Sequence, residues 1–395
     1  MKILVVAPYF APYSLVGAQR INSFVNYASS NGHEVTVVSY SLQYLETFGK
    51  DALKAKIPNS VRIVRVDVGH IPKSVTKRNR MFQTAFKENI ESILNCEVFD
   101  VCIVTVGPFF TLDVVRSVMA GRNVPFYVDY RDLISMGHPG GFIERVKSLR
   151  SAMNMDITNK RCIDAASGVI TVSETCKEIL VRKNKTSVEH VFVVYNGYDE
   201  SQLENISDVE WTPKTKYAVG YFGKFMYYEE RLGVLILKAI SKLKQEGFDI
   251  ALYHMGPPVT GIDEVLGRNG IASENYVHMG SKPYAAGIGY LRKMDCCAIE
   301  WNSLFGLGTK VFDYIYVNKP IVGCMEKKTE LGQFLSGFKN TVVSTSEREI
   351  YEFIKYIITS RVANLGRDTD PQMYSRRKQN ERMEQIIMRG GVKNE

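Results

Sequence analysis

The feature that most limits how this chain can fold is a strand–loop–helix–strand rhythm that starts at the N-terminus and restarts past the middle. Lys2 to Ala7 (KILVVA) is an unbroken apolar run of strand length. After the loop PYFAPYSLVGAQR, the apolar positions Ile21, Phe24, Val25 and Ala28 recur at helical spacing over about Gly17 to Ser30. Asn31-Gly32 stops that helix, and HEVTVVSY opens a second strand. Two buried strands joined through a helix form a βαβ unit, which packs with its strands parallel. The later apolar runs VCIVTV (101–106), PFYVDY, GVITVS (168–173) and HVFVVYNGYD (190–199) continue the pattern. The second half repeats it: YAVGYFG (217–223), a helix carrying Leu232, Leu235, Ile236, Ala239, Ile240 and Leu243, then FDIALYHMG (248–256), YVHMG (276–280), a helix near 284–293 and CCAIE (296–300). Segment 42–95 is less regular. The prediction is an α/β protein of two Rossmann-like, doubly wound parallel-sheet domains facing a central cleft, the expected ligand site.

Length supports two domains, because 395 residues exceed the ~250–300 at which a single core stops growing. The expected division is 1–200 and 201–370, with the polar run 200–216 as linker. The seven cysteines show no C-x-x-C spacing and the six histidines are dispersed, so the expectation is reduced, packed thiols in a cytoplasmic protein and no metal site. Asp368-Thr369-Asp370 has the form of a metal-binding pair, but it stands beside Pro371 in a polar connector and reads as solvated chain. The opening MKILVVAPYF is too short for a secretory apolar core and is interrupted by Pro8, and no apolar stretch reaches the ~18 residues of a membrane helix. A net charge of +8 permits attraction to anionic lipid or phosphate-bearing ligands; nothing points to nucleic acid.

Ser303 to Gly323 (SLFGLGTKVFDYIYVNKPIVG) is the stretch best suited to chemistry. Gly306, Gly308 and Thr309 make a flexible loop that enters a helix of about Thr309 to Val317, with Val311–Ile315 and Phe312–Tyr316 as apolar pairs four apart. Asn318 suits the left-handed residue just past a helix, and Pro320 forbids continuation. The first N–H groups of a helix lack internal partners and carry partial positive charge, so an anion fits there. Lys310 adds a full charge, and Asp313 can accept hydrogen bonds from ribose hydroxyls. The alternative is an ordinary helix with a solvated Lys and Asp. Gly223-Lys224 ends another strand and aims at the same edge.

Other candidates lie in the first half. Asp129, Arg131 and Asp132 cluster where PFYVDY ends, unusual for a buried strand unless the charges are paired or face a cleft; a structural Arg–Asp pair is the alternative. Lys73, Lys77, Arg78 and Arg80 form a basic cluster. Phe142 to Cys162 reads as a basic amphipathic helix, suited either to a membrane surface or, more simply, to packing with a solvated basic face. His33 reads as structural.

In their order and spacing, KILVVAPYFAP, VGAQR, NGHEVTVVSY, VDYRDL, GVITVSE, VYNGYD, YFGK, VHMGSKPY and GTKVFDYIYVNKPIVG make the chain resemble the GT-B glycosyltransferases of the large family 4 group, over most of its length. The resemblance implies a retaining transfer, independent of metal, from a nucleotide-diphosphate sugar to a hydroxyl of a glycan or lipid-linked acceptor, in polysaccharide or glycoconjugate synthesis. It places the protein in the cytoplasm or at the inner membrane face, with the nucleotide sugar as co-substrate and no cofactor. By that resemblance Lys224 and Lys310 hold the donor diphosphate with Gly223, Gly308 and Thr309. Asp313 takes the place of the acid that binds ribose, and Gly17, with Arg20 nearby, belongs to the loop that closes on the phosphates. Asp132 lies in a D-x-R-D segment on the acceptor side, where it positions the acceptor hydroxyl, with His138 as a weaker candidate. The C-terminal helix, about 371–395, is expected to pack back on the N-terminal domain. One departure stands out: the family's paired acids, spaced as Glu, seven residues, Glu, appear here as Phe305 and Asp313, with Glu300 as the substitute on offer. That departure keeps open a non-catalytic partner or scaffold, and the two-domain shape also keeps open a sugar-nucleotide epimerase.

Overall fold

The computed structural model of the chain describes residues 1–12, 18–49, 55–131, 156–203, 206, 209–227, 229–366 and 371–389. They form two compact units, Met1–Tyr195 with Arg376–Glu395, and Asn196–Ser375.

Unit 1 holds seven strands: β1 (Lys2–Val6), β2 (Glu34–Tyr40), β3 (Arg62–Val66), β4 (Val101–Thr105), β5 (Phe126–Tyr130), β6 (Gly168–Thr171) and β7 (Val191–Val193). They lie all parallel in the order β3-β2-β1-β4-β5-β6-β7. Parallel strands are buried on both faces, which is why these segments read as unbroken apolar runs. Alternation divides them between two cores. Leu4 and Val6 of β1 join Tyr40, Val104 and Val128 beneath α3 (Val75–Cys96) and α4 (Phe110–Met119), which contribute Phe82, Phe86 and Val115. Ile3 and Val5 face the other way, with Ile103 and Tyr127, against α1 (Gln19–Ser30) and the C-terminal helix Arg376–Arg389, here α14. Helix α14 is tied to α1 by polar contacts as well: Glu384 accepts from Tyr27 Oη at 2.9 Å and pairs with His33 Nε2 at 2.6 Å, and Asn380 donates to Ser23 Oγ at 3.0 Å.

Segment 42–95 is more regular than its sequence suggests. It forms α2 (Leu42–Gly49), the edge strand β3 and the 22-residue α3. The signal was present in Phe82, Phe86, Ile90 and Ile93, at spacings of four, four and three. A basic first turn and mostly polar intervening residues diluted it. Of the basic helix read over 142–162, residues 142–155 lie outside the described chain, and 156–165 are helical (α5).

Unit 2 repeats the plan with β8 (Tyr217–Phe222), β9 (Ile250–Met255), β10 (Tyr276–His278), β11 (Cys296–Glu300), β12 (Ile321–Cys324) and β13 (Thr341–Ser344), all parallel in the order β10-β9-β8-β11-β12-β13. Helices α8 (Glu230–Gln245) and α13 (Glu347–Thr359) cover one face, with Ile236, Ile240, Ile350 and Ile354 packed on Val219, Leu252 and Ala298. In each sheet the strand order reverses once, between β1 and β4 in unit 1 and between β8 and β11 in unit 2. Crevices at such switch points, outside the carboxyl ends of the strands, are where ligands bind in open α/β sheets. All seven cysteines are free thiols, and all but Cys96 are buried.

Candidate functional site

The switch point of unit 2 gathers most of the residues that the glycine-loop pattern singled out. Strand β8 ends at Gly223-Lys224, and β11 ends at Glu300. The loop 303–309 then leads into α11 (Lys310–Val317). Gly306 and Gly308 take positive φ, +88° and +65°, which a residue with a side chain would adopt only with strain. A Cβ on Gly308 would stand 3.4 Å from the Trp301 ring, so the indole is the floor of the loop. Glu330, buried at the start of α12 (Glu330–Leu335), fixes the loop from the side. Its Oε2 accepts the Gly306 N–H at 2.6 Å, and its own N–H donates to the Leu304 carbonyl at 3.0 Å. The Gly306 amide is therefore committed to a carboxylate. The anion-binding N–H groups on offer are those further on, at the start of α11. Thr309 sits at the N-cap but makes no side-chain capping bond, so no side chain competes with an anion for that helix end.

Lys310 is half-buried and stacks its ammonium 4.0 Å above the Tyr221 ring. Its surroundings remove water, and burial lowers its pKa to about 8, with Glu300 and Asp313 pulling the other way. Gly223 makes room for it: with φ +110°, a Cβ there would stand 3.3 Å from Lys310 Nζ. The Gly223 carbonyl is held in turn by His254, 2.7 Å from Nε2, while Nδ1 lies 2.7 Å from the Tyr276 hydroxyl. Burial pushes His254 down to about 4, so the ring is neutral at physiological pH. A neutral ring facing a carbonyl at Nε2 carries its proton there and accepts from Tyr276 at Nδ1. A Cβ on Gly256 would fall 2.0 Å from the Gly223 carbonyl oxygen, so that glycine is required for the close approach of the two strand ends. Lys224 is exposed, its ammonium 4.3 Å from the Tyr227 ring centroid. Asp313, on the first turn of α11, accepts a hydrogen bond from Tyr284 Oη.

Glu300 is 1% exposed. One carboxylate oxygen accepts the Tyr227 N–H at 3.1 Å; the other is buried without a hydrogen bond of good geometry, since the nearby Tyr221 hydroxyl donates to the Lys224 carbonyl instead. Burial raises its pKa to about 7, with the Lys310 charge opposing. Glu300 thus acts on Lys310 by field and holds the turn after Lys224 by its amide bond. Phe305, where the paired-acid spacing calls for a carboxylate, is half-buried in the loop.

The first-half candidates fall into separate places. Arg20 and Asp129 are both buried and pair with each other, Nε to Oδ1 at 3.1 Å, and Arg20 Nη1 also donates to the Val194 and Tyr195 carbonyls at 2.6 and 3.0 Å. Arg20 was expected near the donor phosphates and Asp129 on the acceptor side; the pairing instead ties α1 to β5 and to the chain after β7. The structural Arg–Asp pair considered for this segment exists, with Arg20 rather than Arg131 as its cation. Arg131 is half-buried beyond the end of β5 and donates from Nη2 to the Val106 carbonyl at 3.3 Å. Gly17, Asp132, His138 and the 368–370 segment lie outside the described residues. Among the described residues no group of His, Cys, Asp and Glu is arranged to hold a metal ion.

Tyr221, His254, Tyr284 and Glu330 also stand at this switch point, though no sequence pattern singles them out as a group. His254 alone carried a local sign, a polar residue inside an apolar strand two positions before a glycine.

Residues 17–202 match the sequence model of Glycosyltransferase Family 4. No curated protein sequence matches the chain. Among solved structures, the fold matches a HepE protein of Anabaena in complex with UDP (TM-score 0.65, 14% identity, 98% of this chain and 100% of that one). It also matches the UDP-GlcNAc 2-epimerase of Neisseria meningitidis bound to UDP-GlcNAc (TM-score 0.61, 12% identity, 98% and 100%). A trehalose-6-phosphate protein of E. coli bound with UDP-2-fluoro glucose matches at TM-score 0.60 and 10% identity over 99% and 96%. These likenesses establish the two-domain GT-B fold.

Proposed function

From a chain with the GT-B fold, whose residues 17–202 carry the Glycosyltransferase Family 4 pattern, we propose a glycosyltransferase that takes its sugar from a nucleoside-diphosphate sugar. The observation that carries the reading is the switch point of unit 2. There the uncapped start of α11, the desolvated Lys310 and the exposed Lys224 surround the glycines 223 and 308, which leave backbone within reach of a diphosphate. As a glycosidic bond to phosphate breaks, negative charge grows on the leaving diphosphate. Fixed positive groups in a partly dry site stabilise that growing charge more than they stabilise the bound donor. Lys310, Lys224 and the helix end supply such groups from the protein itself. Asp313, held by Tyr284, takes the ribose hydroxyls. Solved structures of the same fold bind UDP and UDP-sugars, which makes uridine the first base to test.

The transfer is read as retaining, onto a hydroxyl of a glycan or lipid-linked acceptor taken by unit 1, in the synthesis of polysaccharide or glycoconjugate. Asp132 and His138 remain the proposed acceptor-side groups. No described helix is long and apolar enough to cross a membrane, and the proposed location is the cytoplasm or the inner membrane face. A second reading, sugar-nucleotide epimerase, draws on the epimerase among the structural likenesses.

The test is product analysis. Protein incubated with a panel of UDP- and GDP-sugars and a mixed glycan or lipid-phosphate extract should release nucleoside diphosphate and form a new glycoside with retained anomeric configuration. An isomeric nucleotide sugar would give the epimerase reading. A folded protein that consumes none of the panel would overturn both, and Phe305 in place of an acid would then mark a non-catalytic chain.

A further inference from the structure

The turn between β8 and α8 carries a residue that the diphosphate leaves unused. Tyr227 is 63% exposed, more than any other aromatic side chain among the described residues. Exposed rings on loose turns are ordinary, but this turn is fixed. Met226, just before the ring, takes φ +57°, a left-handed conformation that a residue with a side chain adopts only under strain. Its side chain is seated against α8, where a Cβ on Gly233 would stand 2.5 Å from Met226 Cγ, so glycine there leaves the room that Met226 fills. From inside, the buried carboxylate of Glu300 accepts the Tyr227 N–H at 3.1 Å. Strain of this kind persists only where the surroundings over-determine it. The result is a ring presented to solvent with the Lys224 ammonium 4.3 Å from its centroid, which sets the ring beside the proposed diphosphate position.

The two faces of the sheet decide which part of a ligand this ring meets. Along β8, Val219 and Tyr221 pack on the α8 side. Gly220 and Phe222 face the other way, toward α10 (Tyr284–Arg292): a Cβ on Gly220 would meet Leu291 at 2.8 Å, and one on Gly287 would meet the Phe222 ring at 2.5 Å. Asp313 belongs to the α10 side, since it accepts from Tyr284 at the start of that helix. Lys310 crosses the carboxyl edge of the sheet. Its helix packs beside α10, where Arg292 donates to the Tyr316 hydroxyl at 2.7 Å, yet its ammonium ends over Tyr221 on the α8 side. Tyr227 stands on the α8 side, in the turn that leads into α8. A nucleoside-diphosphate sugar with its ribose at Asp313 and its diphosphate at Lys310 and Lys224 therefore extends its sugar toward Tyr227. The base, attached to the ribose, stays at the Asp313 end. The C–H face of a pyranose is apolar and packs on an aromatic ring by dispersion, which a fixed, exposed tyrosine offers without a charge.

We propose that Tyr227 is the platform for the donor's sugar, stacking on the C–H face of a pyranose, and that it makes the nucleotide sugar bind more tightly than its nucleoside diphosphate. That a sugar reaches this ring rests on the nucleotide-sugar reading of unit 2. The test is calorimetric titration of the full chain with a panel of UDP-, GDP- and ADP-sugars. The tightest binder and its own nucleoside diphosphate are then titrated into Tyr227→Ala and Tyr227→Phe, with circular dichroism as the check on folding. The expected result is that Tyr227→Ala weakens the nucleotide sugar about tenfold or more and the nucleoside diphosphate by less than about twofold. Tyr227→Phe, which keeps the ring and loses the hydroxyl, should stay within about threefold of wild type for both. An equal loss for the two ligands in Tyr227→Ala would show that the ring acts through Lys224 on the diphosphate, and would overturn the sugar contact while the nucleotide reading stands. Undiminished nucleotide-sugar binding in Tyr227→Ala would overturn it too, as would a loss in Tyr227→Phe as large as that in Tyr227→Ala. No nucleotide-sugar binding by folded wild type would overturn the sugar contact and the nucleotide reading together.

Discussion

At the scale of single residues, two buried ionisable groups make the site of unit 2 sensitive to pH in opposite directions. The folded pKa of His254 lies at about 4, below its ordinary 6.5, so stability present above pH 6.5 is lost as pH falls through 4. The full loss is about 3 kcal/mol, at 1.36 kcal/mol per unit. Thermal melts of His254→Gln should show a flatter acid limb than wild type; an identical limb would mean that the ring is not buried neutral. Glu300 behaves the other way. Its folded pKa is raised from 4.5 to about 7, so the stability it contributes below pH 4.5 disappears as pH rises through 7. Glu300→Gln should therefore gain on wild type in melting temperature between pH 5 and pH 8. Removing the carboxylate also removes the charge that holds Lys310 protonated, so nucleotide affinity in that variant should drop more at pH 8 than at pH 6.5. Equal affinity loss at both pH values would show that Glu300 does not act through Lys310.

At the scale of elements, the loop 303–308 is shaped before any ligand arrives, by Trp301 beneath it and Glu330 beside it. Glu330→Ala leaves the Gly306 amide and the entry to α11 unheld. The expected outcome is about a tenfold loss of nucleotide affinity, equivalent to about 1.4 kcal/mol, in a protein whose circular dichroism is unchanged. Undiminished affinity would mean that the loop holds its form without Glu330. The sequence reported this region unevenly, for a physical reason. Gly223, Lys224, Gly308, Lys310 and Asp313 were legible because a strand end and a helix start are local patterns of apolar run, glycine and charge. The partners that hold them were not. His254 meets a carbonyl 31 positions away, Tyr284 meets Asp313 across 29, and Glu330 meets Gly306 across 24. Arg20 and Asp129 are 109 positions apart, and each alone resembles a cleft residue, so their mutual neutralisation could be seen only in three dimensions. Helix α3 was obscured differently, by a polar sequence whose apolar stripe is a single row.

At the scale of the whole molecule, the fold is a doubly wound parallel sheet built twice, and in unit 2 the candidate residues stand where the strand order reverses. The proposed division of labour, nucleotide in unit 2 and acceptor in unit 1, makes the units separable by mutation. Arg20→Met leaves Asp129 as a buried, uncompensated charge, which should destabilise unit 1 by about 3–5 kcal/mol. Nucleotide affinity measured below the melting temperature should be unaltered, and a matching loss of affinity would contradict the assignment of the donor to unit 2 alone. In the proposed reading, the start of α11 with Lys310 holds the diphosphate of a nucleotide sugar. Its most direct test is binding of a panel of UDP-, GDP- and ADP-sugars by calorimetry, wild type against Lys310→Ala. One nucleotide sugar should bind wild type, and Lys310→Ala should weaken it a hundredfold or more with the fold intact. Binding that Lys310→Ala leaves unchanged, or no binding across the panel, would contradict it.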